Sequence, residues 1–222
     1  VVSIKDNGTG MSKPELIEAM RPGTRSPAEQ RSEGDLGRFG LGLKTASFSQ
    51  SSRLSVTSWK RGEACHKAEW DLNEVEKNNR WTLRLQNVER LENESPSGTL
   101  VEWHGMDGFE DTDVDEAQKQ IARMVVELEA HIGRTYHRFI EGIAAKEVQF
   151  LVNSVECKPI NPFFPAKSVQ RPMEALIDRG KCCYIQSYTL PHSSKCSTRE
   201  WELNSGPSGY LESQGFYLYR NN

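Results

Sequence analysis

Hydrophobic residues recur along the chain with two periods, and each period predicts one kind of element. Short runs of alternating polarity, bounded by glycine, asparagine or proline, are typical of strands. Such runs occur at residues 1–5, 54–59, 66–72, 81–85 and 98–103. Arg61-Gly62 separates the second run from the third, which predicts a β-hairpin at that point.

Three other stretches have the spacing of helices. Ser12 can cap a short helix, and Glu15 follows it at the distance of a capping box. A second helix is predicted from Leu41 to Gln50, entered through glycine. The longest is predicted from about Val114 to Glu141, because apolar residues recur there every three or four positions. We expect its apolar stripe to serve packing and assign it no chemistry.

The composition changes twice along the chain, which predicts its organisation. Residues 21–38 are rich in glycine, proline and mixed charge, and they predict a mobile loop between two glycine-rich segments. After Gly142 the strands become short and prolines interrupt them. We therefore expect an α+β chain with one domain at residues 1–142 and part of a second at 143–222. Because the chain begins at Val1 inside a predicted strand, we expect it to be a fragment.

Composition limits the classes of function. The chain has 222 residues, 36% of them hydrophobic, and a net charge of -3, so nothing indicates a generally basic nucleic-acid binder. No apolar run approaches the roughly 20 residues that span a bilayer, so we expect no membrane partner. The five cysteines lack the spacing of zinc ligands. They indicate reduced thiols and a cytoplasmic location.

The first glycine-rich segment, residues 6–11 (DNGTGM), follows the first predicted strand. A buried carboxylate at Asp6 could accept a hydrogen bond from the amino group of adenine, and a mismatched base would leave it unpaired. Gly8 and Gly10 would allow a tight turn beside a flat ring, on which Met11 could pack. An ordinary Asp-Asn-Gly β-turn explains the same residues equally well.

The second segment, residues 37–47 (GRFGLGLKTAS), has glycines leading into a helix. Main-chain amides at such a turn suit phosphate oxygens, and Lys44 can add a charge. The spacing is neither that of a P-loop, because Leu43 precedes Lys44, nor that of a Rossmann fingerprint. Taken alone, the segment could also be a helix packed through small residues.

A third element, Ser97-Gly98-Thr99, opens a predicted strand. The Thr99 hydroxyl could reach the carboxylate of Asp6 directly or through water. Alone it would be only a turn. The three segments together, in this order, are much more specific than any one of them.

In this order the segments resemble the GHKL ATPases, which share the Bergerat nucleotide-binding fold. Residues 6–11 match the family's adenine motif, residues 37–44 its glycine lid-and-phosphate motif, and Gly98-Thr99 its late threonine motif. The resemblance implies a Bergerat-type α/β sandwich, with a mixed, mainly antiparallel sheet and helices on one face. The amino-acid sequence of these motifs most resembles the MORC-like and heat-shock-chaperone-like branch. This resemblance implies the start of a transducer-like α/β domain after residue 143.

The resemblance also implies the ligands, ATP and Mg2+, and the residues that bind the nucleotide. These residues are Asp6, Gly8, Gly10, Met11, Gly37, Arg38, Phe39, Gly40, Leu41, Gly42, Leu43, Lys44, Thr45 and Thr99. The family's general-base glutamate and magnesium-binding asparagine would lie upstream of Val1. The intact protein is thus expected to be an ATPase, and residues 1–222 alone are expected not to hydrolyse ATP. The position of the lysine that senses the γ-phosphate is left open.

The remaining implications concern partners. Closure of residues 21–38 over ATP is expected to drive homodimerisation and conformational change on a DNA, RNA or protein client. One alternative is a non-hydrolysing nucleotide-binding clamp. A histidine-kinase catalytic domain is less favoured, because no phosphoacceptor helix is visible in the chain.

Overall fold

The chain forms two compact units, Val1–Asp113 and Val114–Asn222, in a computed structural model. The structure describes residues 1–21, 23, 40–90, 95–109, 112–144, 146–178, 181–205, 209–212 and 214–219.

The first unit is built on one five-stranded sheet. Its strands are β1 (Val2–Asp6), β2 (Ser51–Trp59), β3 (Cys65–Asp71), β4 (Arg84–Val88) and β5 (Gly98–Met106). The spatial order is β1-β5-β2-β3-β4, and each neighbouring pair is antiparallel. The predicted hairpin joins β2 to β3, with Gly62 at a φ of 80° in its turn. The α+β prediction is confirmed.

Three helices pack against a single apolar cluster on this sheet. They are α1 (Lys13–Met20), α2 (Gly42–Phe48) and α3 (Leu72–Asn78). The cluster forms because alternate strand residues share a face and meet the apolar side of α1. Its buried members are Leu16, Met20, Leu54, Val56, Ala68 and Trp70, and Leu43, Phe48 and Val75 of α2 and α3 pack against them. The helices therefore lie on one face, as the sequence predicted.

The start of α1 is fixed by the polar contacts that the sequence predicted. The Glu15 carboxylate accepts hydrogen bonds from the Ser12 main-chain N–H at 2.7 Å and the Ser12 hydroxyl at 2.6 Å. Lys60, directly after β2, donates to the same carboxylate at 2.9 Å. The hydrogen bond from Lys60, followed by those from Ser12, lowers the pKa of Glu15 to about 2.

Two elements of the first unit differ from the prediction. The fourth strand begins at Arg84, not at residue 81. Trp81 instead lies edge-on against Trp70, with ring centroids 5.2 Å apart. Helix α3 was not predicted. Its signal was present in Asp71, whose carboxylate caps the helix by accepting from the Asn73 N–H at 3.0 Å.

The second unit begins with a long helix that is shorter than predicted. It consists of α4 (Val114–Thr135) followed by α5 (His137–Ile140), with a break at Tyr136. The Tyr136 ring stacks on Phe150 at a centroid distance of 5.1 Å, which favours a bend there. Gly142 then follows α5 with a φ of 68°, in agreement with the predicted end of the helix.

The rest of the second unit is made of short elements. Its described strands form three antiparallel pairs, β6 (Leu151–Val152) with β7 (Val155–Glu156), β8 (Val169–Gln170) with β11 (Tyr188–Thr189), and β9 (Glu174–Asp178) with β10 (Lys181–Ile185). A 3-10 turn at Ser193–Lys195 precedes α6 (Thr198–Ser205) and α7 (Gly209–Glu212). No helix in the described ranges is long and apolar enough to cross a bilayer.

One buried histidine connects residues of the second unit that are far apart in sequence. His137 is 2% exposed, and its ring nitrogens lie 3.1 Å from the Glu141 carboxylate and 2.8 Å from the Tyr219 hydroxyl. Burial raises the pKa of Tyr219 to about 12. These contacts join the last described residues to α5, so the second unit includes α4 and α5. The predicted domain boundary after Gly142 lies beyond both helices, whereas the first compact unit ends before them.

Candidate functional site

Three polar side chains form a row across neighbouring strands of the first unit. Asp6 ends β1 and lies opposite Thr99, the second residue of β5. Thr99 in turn lies opposite Ser58 of β2. Because directly opposed residues in antiparallel strands project from the same face of a sheet, these side chains lie side by side. Segments that are remote in sequence therefore bring a carboxylate and two hydroxyls together.

Ser58 connects this row to the glycine turn after β1. Its side chain is fully buried, and its hydroxyl oxygen accepts a hydrogen bond from the Met11 main-chain N–H at 2.9 Å. The same hydroxyl lies 3.0 Å from the Gly98 carbonyl oxygen and 3.0 Å from the Thr99 hydroxyl. One buried group thus determines where the glycine turn, β2 and β5 meet.

The glycine turn requires glycine for two local reasons. Gly10 has a φ of 67°, and a Cβ there would overlap the main-chain carbonyl oxygen of Trp59. A Cβ at Gly8 would lie 2.9 Å from Asp6 Oδ1, which accepts the Gly8 N–H at 2.8 Å. Larger residues would displace the turn from β2 or crowd the carboxylate.

The Asp6 carboxylate keeps one oxygen available. Oδ1 is engaged by Gly8, and Oδ2 has no hydrogen-bond partner among the described residues. The side chain is exposed, whereas a discriminating acid is expected to be buried. The described residues leave the Asp6 carboxylate exposed to solvent. A flat ring bound against Asp6 would therefore itself have to exclude water from the carboxylate.

The second glycine segment lies at the start of α2. Gly40 has a φ of 61°, and α2 begins at Gly42. The first main-chain N–H groups of a helix have no acceptor within it, which suits an anion. The Thr45 hydroxyl donates to the Leu41 carbonyl oxygen at 3.0 Å. Gly37, Arg38 and Phe39, with most of the predicted lid, lie outside the described residues.

Lys44 has a different environment from the one predicted. Its side chain is 7% exposed, and its ammonium donates to the Ala19 carbonyl oxygen at 2.8 Å and to that of Gly40. Burial lowers the pKa of this ammonium below the usual 10.5. The charge lies at the C-terminal end of α1, where the helix dipole favours a cation. Neither carbonyl uses the third hydrogen of the ammonium, but because the side chain is buried it would have to become more exposed before it could meet a phosphate.

Two of the apolar residues in the predicted set serve packing. Met11 and Leu43 are partly buried against the core cluster, and Leu41 is exposed. In the described ranges no three histidine, cysteine, aspartate or glutamate side chains group closely enough to hold a metal ion. A shallow cleft elsewhere in the unit contains none of the site residues. It is lined by Asp71, Glu74, Val75, Asn78, Arg80, Thr82 and Arg84.

Sequence reasoning missed Ser58. The signal lies in the alternation of β2, where Leu54 and Val56 fill the core and the next position on the same face is a serine. A small hydroxyl residue at a fully buried position must satisfy its hydrogen bonds locally. That requirement could have marked it as a structural partner of the glycine turn.

Residues 1–99 match the family model of "Histidine kinase-, DNA gyrase B-, and HSP90-like ATPase". The matched segment is slightly less than half of the chain and lies within the first unit. Every candidate residue, from Asp6 to Thr99, lies inside it. No match to the chain was found among curated proteins.

Proposed function

Because residues 1–99 belong to the GHKL family of histidine kinase-, DNA gyrase B- and HSP90-like ATPases, we propose that the chain is the nucleotide-binding part of an ATP-driven conformational switch. ATP binding is a general property of this family. The finer proposal assigns the base to Asp6 and Thr99 and the phosphates to Gly40, Gly42 and Lys44. One observation carries it, namely the register that places Asp6 directly opposite Thr99.

The base is recognised at the end of β1. The unengaged Oδ2 of Asp6 accepts a hydrogen bond from the exocyclic amino group of adenine. Guanine presents a carbonyl oxygen at that place, so two acceptors would face each other and the carboxylate would stay unpaired. The base lies on the glycine turn, where Gly8 adds no side chain beside Oδ1. The turn itself is positioned by the hydrogen bond from Met11 to Ser58.

The phosphates are placed at the start of α2. Main-chain N–H groups after Gly40 donate to phosphate oxygens, and Lys44 supplies a positive charge and its third N–H once its buried ammonium becomes exposed to a phosphate. Mg2+, which the family uses with ATP, would neutralise phosphate charge. It usually keeps several waters and binds through phosphates, so the lack of a protein ligand cluster among the described residues is compatible with it.

The family relationship supports three further parts of the proposal. Closure of residues 21–38 follows binding of the triphosphate, closed chains associate as a homodimer, and the change acts on a nucleic-acid or protein client. Residues 143–222 are then part of a transducer-like domain. Light scattering of the full chain with and without a non-hydrolysable ATP analogue tests self-association. An unchanged molar mass at a saturating concentration of the analogue would refute self-association.

Titration calorimetry tests the binding proposal. We expect the full chain to bind a non-hydrolysable ATP analogue more tightly than the GTP analogue, and we expect Asp6→Asn to lose the ATP analogue because its amide would present an N–H beside the amino group. The matched control is Asp107→Asn, which makes the same change at an exposed residue in the turn after β5. Equal affinity for both nucleotides, or full affinity in Asp6→Asn, would contradict the assignment.

A further inference from the structure

We propose that Ser58 determines which base the site accepts, because it fixes the direction of the hydrogen bond made by Thr99. Ser58 is a positioning residue, since it contacts Thr99 and not the nucleotide. This inference rests on the proposed function of Asp6 and Thr99. It adds a residue that no sequence motif contains and gives Thr99 a defined chemical role.

The first step is the hydrogen-bonding capacity of Ser58. A serine hydroxyl has one hydrogen to donate and two lone pairs that accept. The Met11 N–H uses one lone pair, at 2.9 Å. The Gly98 carbonyl oxygen, which can only accept, lies 3.0 Å away and takes the single hydrogen.

The Thr99 hydroxyl must then donate to Ser58. Its hydroxyl oxygen lies 3.0 Å from the Ser58 hydroxyl oxygen, and one of the two must donate. Since the hydrogen of Ser58 is already directed to Gly98, Thr99 donates to the remaining lone pair of Ser58. The Thr99 oxygen then faces the rest of the site with lone pairs only.

The third step concerns the ligand. Thr99 lies opposite Asp6 in the β1–β5 register, so the site presents two acceptors next to each other. An amino group, which has two hydrogens, can donate directly to both. A carbonyl oxygen can satisfy neither. The orientation of Thr99 therefore adds to the selection that the Asp6 carboxylate makes.

Removing the Ser58 hydroxyl should weaken this selection. In Ser58→Ala the Thr99 hydroxyl loses its acceptor and can rotate its hydrogen toward the ligand, where it can donate to the carbonyl of guanine. We expect the ratio of ATP-analogue to GTP-analogue affinity to fall by about fivefold to tenfold, the size of one neutral hydrogen bond. A purely structural defect would lower both affinities together and leave the ratio unchanged.

The experiment is calorimetric titration of the full chain with both analogues, with Ser55→Ala as the control. Ser55 is on the same strand and fully buried, but its hydroxyl donates to Glu102 on the other face of the sheet. We expect the ratio to fall in Ser58→Ala, to remain in Ser55→Ala, and to return in Ser58→Thr, which restores a hydroxyl. Ser58→Cys keeps a side chain of similar size that forms only weak hydrogen bonds, so it should also lower the affinity ratio. It replaces Ser58→Ala in the experiment if that variant does not fold.

The outcomes separate this inference from the proposed function. If the unaltered chain prefers the ATP analogue but Ser58→Ala and Ser58→Cys keep the same ratio, the inference is wrong and the function of Asp6 stands. A lower ratio in Ser55→Ala would also overturn it, because any buried serine would then act alike. If the unaltered chain binds no ATP analogue, the proposed function fails and this inference fails with it.

Discussion

The two ends of the candidate nucleotide site are built differently. The base end rests on β1, β5 and β2, whose main chains are hydrogen-bonded in register, and Ser58 satisfies the groups that meet there. The phosphate end rests on the seven-residue helix α2, and its only buried cation, among the described residues of that helix, donates to main-chain carbonyls. The base end is thus preformed, whereas at the phosphate end the buried Lys44 has to become exposed before it can meet a phosphate.

This difference suggests how ATP binding could become a signal. Lys44 joins the end of α1 to the glycine segment through the carbonyl oxygens of Ala19 and Gly40. Under the proposed function, a phosphate that draws the ammonium outward would weaken these contacts and loosen the last turn of α1. A ligand shifts a conformational equilibrium only when it binds the two states with different affinity. The triphosphate would make that distinction, whereas the base alone would not.

The largest effect is expected at the preformed end, from Gly10→Ala. The left-handed conformation costs an alanine about 1–2 kcal/mol. The added Cβ would also overlap the Trp59 carbonyl oxygen, so we expect a total loss above about 3 kcal/mol. Urea unfolding followed by tryptophan fluorescence measures it, because four of the five tryptophans lie in the first unit.

The control for Gly10→Ala is Gly62→Ala. Gly62 also has a positive φ, of 80°, but an added Cβ meets nothing within 4 Å. We therefore expect it to lose only about 1–2 kcal/mol, the conformational part alone. Equal losses at the two positions would mean that the close approach of the glycine turn to β2 does not constrain the base end.

The next effect is expected at the phosphate end, from Lys44→Met. The variant loses hydrogen bonds from a charged group to two carbonyls but no longer buries a charge, so we expect a loss of about 1–2 kcal/mol. Because burial lowers the native pKa of Lys44, the native chain binds fewer protons than the unfolded chain just below pH 10.5. Stability of the unaltered chain should rise with pH there, and Lys44→Met should abolish that rise.

Ligand affinity shows whether Lys44 also meets the phosphates. We expect Lys44→Met to bind the ATP analogue about tenfold more weakly, the size of one charge-assisted hydrogen bond, while its affinity for adenosine stays the same. Lys77→Met removes an exposed lysine from α3 and should change neither affinity. If ATP and adenosine affinities fall together, Lys44 acts only through the fold.

The base end is more predictable from the sequence than the phosphate end. Alternation of polarity places the strands, because every second residue of a strand faces the core. Gly10 reveals the turn, because few other residues adopt its backbone angles. The base end was predictable for these reasons, apart from Ser58, since each of its other parts is a property of a short segment.

The phosphate end was less predictable because its contacts join remote segments. No local pattern shows that Lys44 reaches back to Ala19, 25 positions earlier. Ser58 was missed for the same reason, since its partners are at positions 11, 98 and 99. The break of the long helix at Tyr136 was not predicted either, and the Tyr136 ring stacks on Phe150, a residue outside the helix.

The smallest effect is expected where α1 meets the base end. Ser12, the residue after the glycine turn, caps α1, and Glu15, which completes the capping box, pairs with Lys60, the residue after Trp59 of β2. The native pKa of Glu15 is lowered from 4.5 to about 2. The carboxylate therefore contributes stability above pH 4.5, and this contribution is lost as the pH falls through about 2. Glu15→Gln should flatten the decline of stability on acidification over that window.

Urea midpoints between pH 6 and pH 3 measure this decline, with Glu18→Gln as the control. Glu18 is the other acid of α1 and lies 3.5 Å from an exposed arginine, Arg21. Because the pair of Glu15 and Lys60 is exposed, the difference between the two variants should be small and should shrink in high salt. If Glu15→Gln kept the acid sensitivity of the unaltered chain, the contacts of Ser12 and Lys60 would not be joining α1 to the base end. The two ends of α1 would then differ, with only the Lys44 end coupled to the nucleotide site.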